Sequence, residues 1–363
     1  MKKIGIITYH RANNVGAVLQ NHALQITLRK YCDVETCDVE TVDYRNVLIE
    51  QSNRIFTKKT LKEYVKLFVQ LGSYIKREYC FNCYRKKYLK ISEKRYTQKN
   101  IFESENEYDF FITGSDQVWN LSLNHFDYNY YLEFVSDADK CRAYAGSFGN
   151  FNFDKEALDK AIKLLKRFKY VTVREVSAKD FLERSGISAV TVLDPTLLID
   201  GTLWKRELEL KEEKKANYVF VYMVAYTPML ISKAKEYARR NNLSIMVMHY
   251  GYKKISGVRN LRAVSPKRFL EYLLNSDIVF SSSFHAICFS ILFKKEFVFA
   301  LDKSKVNNNS RIESLCSRLS LMNREVESVN YEEKISYGQV YEMLNDERKR
   351  SLVALMRMVD AKE

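Results

Sequence analysis

His285 stands at the start of an apolar run within the stretch Ser276–Ala300. In that stretch Ile278–Phe280 predicts a short buried strand, Ser281–Ser283 supplies turn and N-cap residues, and Ala286–Phe293 predicts a helix. His285 would lie in the first helical turn, where free backbone N–H groups and the helix dipole attract an anion. Its imidazole could bind a phosphate or carboxylate, or give a proton to a substrate. The alternative is a partly buried histidine that the serines cap.

A second group of polar residues follows an apolar run that ends at Thr113, with Gly114 permitting a sharp turn. The group consists of Ser115, Asp116 and Gln117, with the indole of Trp119 beside them. A carboxylate next to an indole can accept a proton or orient a sugar hydroxyl. Asp116 is therefore a candidate base. The alternative is that Asp116 caps a helix and Trp119 belongs to the core.

Two arginines complete the set of candidate groups. Arg174 follows the predicted strand Tyr170–Val173, and Arg311 lies near the start of a helix that begins at Ser310. A guanidinium can hold a carboxylate or phosphate through two parallel hydrogen bonds. For Arg174 the alternative is an ordinary surface pair with Glu175.

The elements that must position these residues alternate between strand and helix. Lys3–Tyr9 predicts a strand, Ala17–Lys30 a helix and Val39–Asp43 a second strand, which is a βαβ unit with a parallel sheet. Asn14 would cap the helix, and Gly16 would let the backbone approach a ligand at the carboxyl edge of the sheet. The sequence contains no GxGxxG pattern, so a dinucleotide fingerprint is excluded.

A second alternation of strands and helices begins after Lys205–Asn217, a charged stretch that predicts a linker. We therefore expect an α/β protein with two Rossmann-like, doubly wound domains and a cleft between them. The expected domains are an N-terminal domain over residues 1–205 and a C-terminal domain over residues 206–336, followed by a C-terminal helix over residues 337–363.

Bulk properties narrow the class of protein. The chain has 363 residues, 46% of them hydrophobic, which is enough for two cores. Its longest apolar runs are too short for a membrane span, and the first run stops at His10, too soon for a signal peptide. Seven scattered cysteines suit reduced thiols, and the lone CxxC pair at Cys80 and Cys83 lacks a second pair. These features predict a cytoplasmic protein, and the sequence shows no cluster of metal-ligating residues.

The net charge of +14 is concentrated between residues 54 and 99, where fourteen basic residues face three acidic ones, an excess of eleven. Apolar residues recur there at helical spacing, namely Leu61, Tyr64, Phe68, Leu71 and Ile75. A basic amphipathic helix can lie on an anionic membrane or meet a polyphosphate-linked substrate. The alternative is a helix docked on its own domain with solvated lysines. Basic and aromatic residues also suit single-stranded nucleic acid, but no nucleic-acid-binding motif accompanies them, and we expect no such partner.

Taken together, three stretches resemble the polysaccharide pyruvyl transferase family: GIITYHRANNVGAVLQNHALQ, YDFFITGSDQVWN, and SSSFHAICFSILFKKEFVFA followed by SRI. YAGSFG, VREVSAKDFL and VLDPTLLID resemble the same family in the same order, so the resemblance covers roughly residues 4–320. It implies a fold like that of GT-B glycosyltransferases, with phosphoenolpyruvate as donor. The acceptor would be a glycan of a capsule, exopolysaccharide or cell wall, often lipid-linked, and the product a pyruvate ketal.

The resemblance also implies residue roles. Arg174, His285 and Arg311 would bind the donor's phosphate and carboxylate, together with Ser283, which stands where many members carry arginine. Asp116 would face the acceptor. The further acceptor-side residues would be Asn14, Gly16, Ser115, Gln117 and Trp119. Val15 stands where the family often has an aromatic residue.

Ketal formation would then use His285 as the acid that protonates the methylene group and Asp116 as the acceptor of the hydroxyl proton. Two other functions stay open. One is a GT-B glycosyltransferase that uses a nucleotide-diphosphate sugar. The other is a non-catalytic protein that binds polyanions or membranes through residues 54–99. The chemistry of ketal formation requires neither a metal nor an organic cofactor, and the expected location is the cytoplasm or the inner face of the cytoplasmic membrane.

Overall fold

The computed structural model divides the chain into two compact units. The first comprises Met1–Lys58, Arg85–Leu198 and Asp346–Glu363, and the second comprises Lys59–Tyr84 and Ile199–Asn345. The structure describes residues 2–31, 37–46, 61–149, 153–213, 217–249, 254–301 and 309–360, with side chains in the helix from residue 61 described from residue 72 onward. Residues 54–60 of the basic segment and the side chains of Leu61, Tyr64, Phe68 and Leu71 lie outside this description.

The first unit contains a parallel sheet of seven strands in the order β3-β2-β1-β4-β5-β6-β7. In chain order, the elements up to residue 191 are β1 (Lys2–Ile7), α1 (Val15–Tyr31), β2 (Cys37–Arg45), α2 (Leu61–Tyr88), β3 (Ile91–Thr97), β4 (Phe110–Thr113), β5 (Cys141–Gly146), α3 (Lys155–Leu165), β6 (Tyr170–Val173), α4 (Val176–Arg184) and β7 (Val190–Thr191). The strand order reverses between β1 and β4, and such a reversal leaves a crevice at the carboxyl ends of the two strands.

The central strands of this sheet are apolar on both faces. All four residues of β4 are buried, as are the last four of β1. Strands of this kind are typical of parallel sheets that helices cover on both sides. The first predicted βαβ unit is therefore confirmed.

The second unit contains a parallel sheet of five strands in the order β10-β9-β8-β11-β12. The remaining elements are α5 (Gly201–Leu208), β8 (Tyr218–Met223), α6 (Pro228–Arg240), β9 (Ser244–His249), β10 (Arg259–Leu261), α7 (Pro266–Asn275), β11 (Ile278–Ser281), α8 (Phe284–Leu292), β12 (Glu296–Phe299), α9 (Ser310–Arg318) and α10 (Tyr337–Asp360). Here the order reverses between β8 and β11, so α8 begins beside the second crevice.

The stretch predicted as a linker is partly helical. The prediction of a linker from Lys205 onward is wrong for its first residues, because α5 continues to Leu208. The Asp200 carboxylate caps this helix by accepting from the amide of Leu203 at 2.7 Å. Trp204 is fully buried and packs edge-on against Phe289 within the second unit. Burial of this indole stabilises the helix, although the charged residues of the stretch favoured a linker.

The contacts divide the chain after Leu198, whereas the sequence suggested a boundary after residue 205. They also assign α10 to both units. Near its start the Tyr341 hydroxyl donates to the Leu292 carbonyl at 2.8 Å. Further along, Ser351 accepts from the amide of Leu193 at 2.9 Å. The last helix therefore packs on two cores and is not a separate element.

Two edge strands, β3 and β10, were not predicted. Three successive residues in the middle of β3 are exposed, and β10 has only three residues. Edge strands are often short and polar, which weakens their sequence signal. Within the described ranges, no helix is long and apolar enough to cross a membrane.

Candidate active site

The carboxyl edge of the seven-stranded sheet gathers polar side chains that follow β4, β6 and β7. We call this group the arginine cluster, and its members are Ser115, Asp116, Arg174, Glu175 and Asp194. Parallel strands end at one edge of a sheet, so residues far apart in sequence meet there. The structure thus brings three predicted site residues into one cluster, namely Ser115, Asp116 and Arg174.

Arg174 is held in this cluster by Asp194. Its Nη1 donates to Oδ2 of Asp194 at 2.8 Å, and the Ser115 hydroxyl donates to the same oxygen at 2.9 Å. The other oxygen of Asp194 accepts from the amide and the hydroxyl of Thr196, at 3.0 and 2.7 Å. Burial disfavours the charge of Arg174, but the surrounding carboxylates, first that of Asp194, outweigh it and raise the pKa of Arg174. The guanidinium is therefore a fixed, buried positive charge.

The interpretation of Arg174 and Glu175 as a surface pair is wrong, because both residues are buried. Asp194 was not among the predicted site residues. It carries the same signal that selected Arg174, a charged residue directly after a predicted strand. That signal identifies candidates but does not say which of them pair.

Asp116 has a strained backbone. The φ angle of Asp116 is +89°, in the region that favours glycine. Asp116 also forms an isolated parallel β-bridge with Gly146. Oδ1 accepts from the amide of Gln117 at 2.8 Å and lies 3.8 Å from Nη2 of Arg174. The side chain is 16% exposed, in contrast to the fully buried carboxylate of Asp194. Such strain costs about 1–3 kcal/mol and concentrates at functional sites, which favours a role for this carboxylate in binding or chemistry.

Trp119 belongs to the core, as the alternative interpretation held. Its indole is fully buried and stacks on Tyr131 with ring centroids 6.1 Å apart. A Cβ atom at Gly146 would lie 2.6 Å from this ring, so only glycine fits there. Trp119 thereby fixes the strand that bridges to Asp116, and its contact with the acceptor stays a prediction. Gln117 is half-buried and its carbonyl accepts from the Tyr9 hydroxyl at 3.1 Å.

Asn14 and Gly16 lie where the first helix begins. The Asn14 side chain accepts from the amides of Gly16 and Ala17 at 2.8 and 3.3 Å, so the predicted N-cap is confirmed. Gly16 is buried in the first turn of α1. Ligand contacts at these two residues stay a prediction.

The loop after β1 contains an ion-pair group that was not predicted. Arg11 donates from Nε to Asp43 at 2.6 Å, and the Nε2 atom of His10 lies 3.2 Å from the same carboxylate. Burial raises the pKa of Asp43, but His10 and Arg11 outweigh burial and hold this pKa well below its ordinary value. These contacts fix the loop beside the crevice between β1 and β4.

The carboxyl edge of the five-stranded sheet carries a different group, Ser281–His285, which we call the histidine turn. The Ser281 hydroxyl donates to the Tyr222 carbonyl at 2.7 Å and accepts from the amide of Ser283 at 3.0 Å. Ser283 occupies the N-cap position of α8 without a side-chain cap bond. His285 is buried in the first turn of α8, as predicted, with its ring edge-on to that of Phe284. The helix start therefore places its first-turn backbone amides and one imidazole at the crevice between β8 and β11.

Arg311 lies in the first turn of α9, which packs against α8. Sequence reasoning missed the loop after β8, on the other side of the same crevice. Val224 and Tyr226 in that loop are exposed, although both are large apolar or aromatic residues. An exposed aromatic ring beside a strand end is a common sugar-contacting feature, and its position was not recognisable until β8 and β11 were known to be neighbours.

The candidate residues are thus divided between the units. Asp116 and Arg174 belong to the first, and Ser283, His285 and Arg311 to the second. In the described part of the chain, no three His, Cys, Asp or Glu side chains gather in a way that could hold a metal ion.

Comparison with known sequences identifies one family. The sequence model of the polysaccharide pyruvyl transferase family matches residues 14–302, which is most of the chain. A search among curated proteins finds no match.

Comparison with solved structures supports the fold. Anabaena HepE, solved in complex with UDP and glucose, has a TM-score of 0.51 at 11% identity, with 100% of each chain covered. A Listeria monocytogenes protein assigned as a UDP-N-acetylglucosamine 2-epimerase has a TM-score of 0.50 at 12% identity, covering 100% of this chain and 97% of that chain. Identities this low indicate the fold alone. The predicted GT-B-like α/β fold is confirmed.

Proposed function

The chain belongs to the polysaccharide pyruvyl transferase family, and we propose that it transfers the enolpyruvyl group of phosphoenolpyruvate to two hydroxyls of a glycan, forming a pyruvate ketal. The observation that carries this proposal is Asp116, a strained and partly exposed carboxylate 3.8 Å from a buried guanidinium. A sugar hydroxyl needs such an acceptor for its proton, and an anionic donor needs a fixed positive charge.

The first unit supplies the acceptor side in this proposal. Asp116 accepts the proton of the attacking hydroxyl, because it is the most exposed carboxylate of the arginine cluster. Arg174 provides the counter-charge for the donor's oxyanions as charge moves in the transition state. Polar atoms near the crevice between β1 and β4, including Asn14 and Gln117, orient the sugar.

The second unit supplies the donor side. In this proposal the positive end of the α8 dipole attracts the phosphate or carboxylate of phosphoenolpyruvate, and Ser283 and Arg311 add polar contacts. His285 stands in the same turn. In its imidazolium form it can give a proton to the methylene carbon.

The test is to incubate the protein with phosphoenolpyruvate and a panel of aryl or lipid-linked glycosides. We expect mass spectrometry to detect a glycoside that has gained one pyruvate less one water, with inorganic phosphate released in equal amount. A panel of vicinal and 4,6-diols that gives no such product would contradict the proposal.

A glycosyltransferase that uses a nucleotide-diphosphate sugar is the chief rival enzyme. A ligand that binds only the folded protein raises the free energy of unfolding by about 2.7 kcal/mol at a hundred times its dissociation constant. We expect phosphoenolpyruvate to raise the melting temperature and nucleotide sugars to leave it unchanged. The opposite result would favour the rival.

We also propose that the exposed face of α2 contacts an anionic membrane, where lipid-linked acceptors reside. Ile75 and Tyr79 lie one helical turn apart and are 58% and 69% exposed. Exposed lysines accompany them on the same helix, namely Lys76, Lys86 and Lys87. Apolar residues flanked by lysines are typical of helices that lie on anionic bilayers.

Vesicle co-sedimentation tests this contact. We expect binding to vesicles that contain phosphatidylglycerol but little binding to pure phosphatidylcholine, and a loss of about tenfold or more in the Ile75→Ser/Tyr79→Ser variant. Phe102→Ser is the matched control, because Phe102 is 59% exposed elsewhere on the chain. Equal losses in both variants would contradict a specific role for α2. Vesicle binding by a protein without transferase activity would instead favour the non-catalytic alternative.

A further inference from the structure

Glu175 carries a buried carboxylate oxygen that the fold does not use. The residue is only 2% exposed, and among the described residues no donor reaches its Oε2 atom. Burying an acceptor without a hydrogen bond costs about 1–3 kcal/mol, and more for a charged group. A carboxylate retained at that cost requires an explanation.

Neither capping nor ordinary packing explains it. Glu175 occupies the N-cap position of α4, but its side chain makes no cap bond. Its other oxygen, Oε1, accepts from the hydroxyl of Ser147, which follows β5. The carboxylate is thus oriented through Oε1, and Oε2 stays buried without a donor among the described residues.

The position of Glu175 is close to the charged groups proposed to act. It is adjacent in sequence to Arg174 and is among the carboxylates that favour the charge of this guanidinium. Ser147 also ties Glu175 to Asp116, because Gly146 before it bridges to Asp116 and the Ser147 carbonyl accepts from the amide of Trp119 at 3.1 Å. Two carboxylates, Asp116 and Glu175, therefore flank one guanidinium.

Ketal formation releases two protons in succession, because two hydroxyls attack the same carbon, and a second carboxylate beside the first can take the second proton. We infer that Glu175 Oε2 binds the second hydroxyl of the acceptor diol and takes its proton when the ring closes. This inference rests on the proposed function, in which Asp116 serves only the first hydroxyl. The acceptor is a 1,2- or 1,3-diol, because one ketal carbon bonded to both oxygens then closes a five- or six-membered ring.

The steps balance as follows. The first hydroxyl oxygen forms a bond to C2 of phosphoenolpyruvate and its proton goes to Asp116, while His285 gives a proton to C3, which becomes the methyl group. The C2–O bond to phosphate then breaks, and phosphate leaves with the electron pair. The second hydroxyl oxygen bonds to C2 and its proton goes to Glu175. Return of these protons to His285 and to the departing phosphate restores the enzyme.

The Glu175→Gln variant tests the inference. Glutamine keeps the acceptor for Ser147 and places an NH₂ group where Oε2 stands, so it cannot take a proton. We expect phosphate release to continue while water captures the C2 cation, so that free pyruvate replaces ketal and the ratio of ketal to phosphate falls at least tenfold. Glu183→Gln, an exposed glutamate on the same helix, should keep the ratio at one.

Two further variants separate chemistry from structure. Ser147→Ala removes the orienting bond, and we expect a smaller fall in the ratio than in Glu175→Gln. Glu175→Asp keeps the charge but shortens the side chain by one methylene group, and we expect a ratio of ketal to phosphate between those of the unmodified protein and Glu175→Gln. The same variant tests the inference if Glu175→Gln does not fold.

The outcomes are distinguishable. If the unmodified protein forms ketal and Glu175→Gln forms it equally well, the inference fails and the proposed function stands. If ketal and phosphate fall together in Glu175→Gln, Glu175 acts before phosphate departs and its assignment to the second hydroxyl is wrong. If the unmodified protein forms no ketal and releases no phosphate, both the proposed function and this inference are wrong.

Discussion

The arginine cluster and the histidine turn both follow the ends of parallel strands, but they are built in different ways. The arginine cluster assembles four charged side chains from three strand ends, and Asp194 alone accepts four hydrogen bonds. The histidine turn is one continuous segment, in which the Ser281 hydroxyl accepts from the amide of Ser283 and donates to the Tyr222 carbonyl of the adjacent strand β8. One region depends on long-range ion pairs and the other on the start of one helix.

This difference indicates where each region is vulnerable. Charges that are buried together are stable only while every partner is present. A helix start keeps its free amides whichever side chain occupies the N-cap position. Single substitutions should therefore damage the fold in the first region and mainly the chemistry in the second.

Removal of Asp194 should produce the largest effect on stability. Asp194→Ala leaves the buried guanidinium of Arg174 without its 2.8 Å partner, and losing one member of a buried ion pair costs about 3–5 kcal/mol. The chain has two tryptophans, Trp119 in the first unit and Trp204 in the second. Denaturant unfolding in a Trp204→Phe background would therefore follow the first unit. A loss below about 1 kcal/mol would show that the network is not needed.

Asp116 allows chemistry to be separated from strain. We expect Asp116→Asn to lower kcat by about 10²–10⁴-fold, because the amide cannot accept the hydroxyl proton. Asp116→Gly should lose activity equally but gain up to about 1 kcal/mol of stability, because glycine adopts φ of +89° without strain. Phosphate release and thermal unfolding measure the two effects. Near-normal turnover in the asparagine variant would remove Asp116 from the mechanism.

The histidine turn should behave oppositely to Asp194. We expect His285→Ala to reduce kcat by about 10²–10⁴-fold, the contribution of a general acid, while the protein stays folded. Steady-state kinetics with circular dichroism would test both parts. Full activity in this variant would exclude His285 as the proton donor.

The loop after β1 should make the first unit sensitive to acid. The pKa of Asp43 is lower in the folded state than in the unfolded state, so its stabilising effect is complete above its ordinary value of 3.8 and is lost as the pH falls. We expect Asp43→Asn to cost about 1.5–3 kcal/mol near neutral pH. The difference from the unmodified protein should shrink as the pH falls below about 4. A difference that is independent of pH would contradict the ion pair with Arg11.

The smallest effects concern helix caps. Ser283 makes no cap bond, so Ser283→Ala should change the stability of the second unit by only a few tenths of a kcal/mol. Asp154 caps α3 by accepting from the amide of Ala157 at 2.8 Å, and Asp154→Ala should cost about 1 kcal/mol. Thermal unfolding of the two variants provides a direct comparison. Equal losses would show that Ser283 does cap its helix.

Much of the architecture was predictable because strong apolar runs leave little choice. The strand Tyr170–Val173, for example, was predicted with the bounds that the structure has. The predictions failed for elements that are stabilised by contacts with residues far away in the sequence. The helix around Trp204 is an example, since its indole is stabilised by Phe289, far away in sequence.

The candidate site was predictable as a set of residues but not as a set of contacts. Asp116, Arg174 and His285 were found because each follows a predicted strand or starts a predicted helix. Glu175, the neighbour of Arg174 in sequence, was its partner only in the alternative interpretation. Asp194 is the carboxylate that holds it, twenty positions further along the chain.

The sequence by itself determined the alternation of strands and helices, and therefore which side chains follow strand ends. Only the tertiary structure decided which of those side chains are buried together, because neighbouring strands of a parallel sheet come from distant parts of the chain. The strain at Asp116, the core position of Trp119 and the unused oxygen of Glu175 all depend on that packing. No local pattern of residues encodes them.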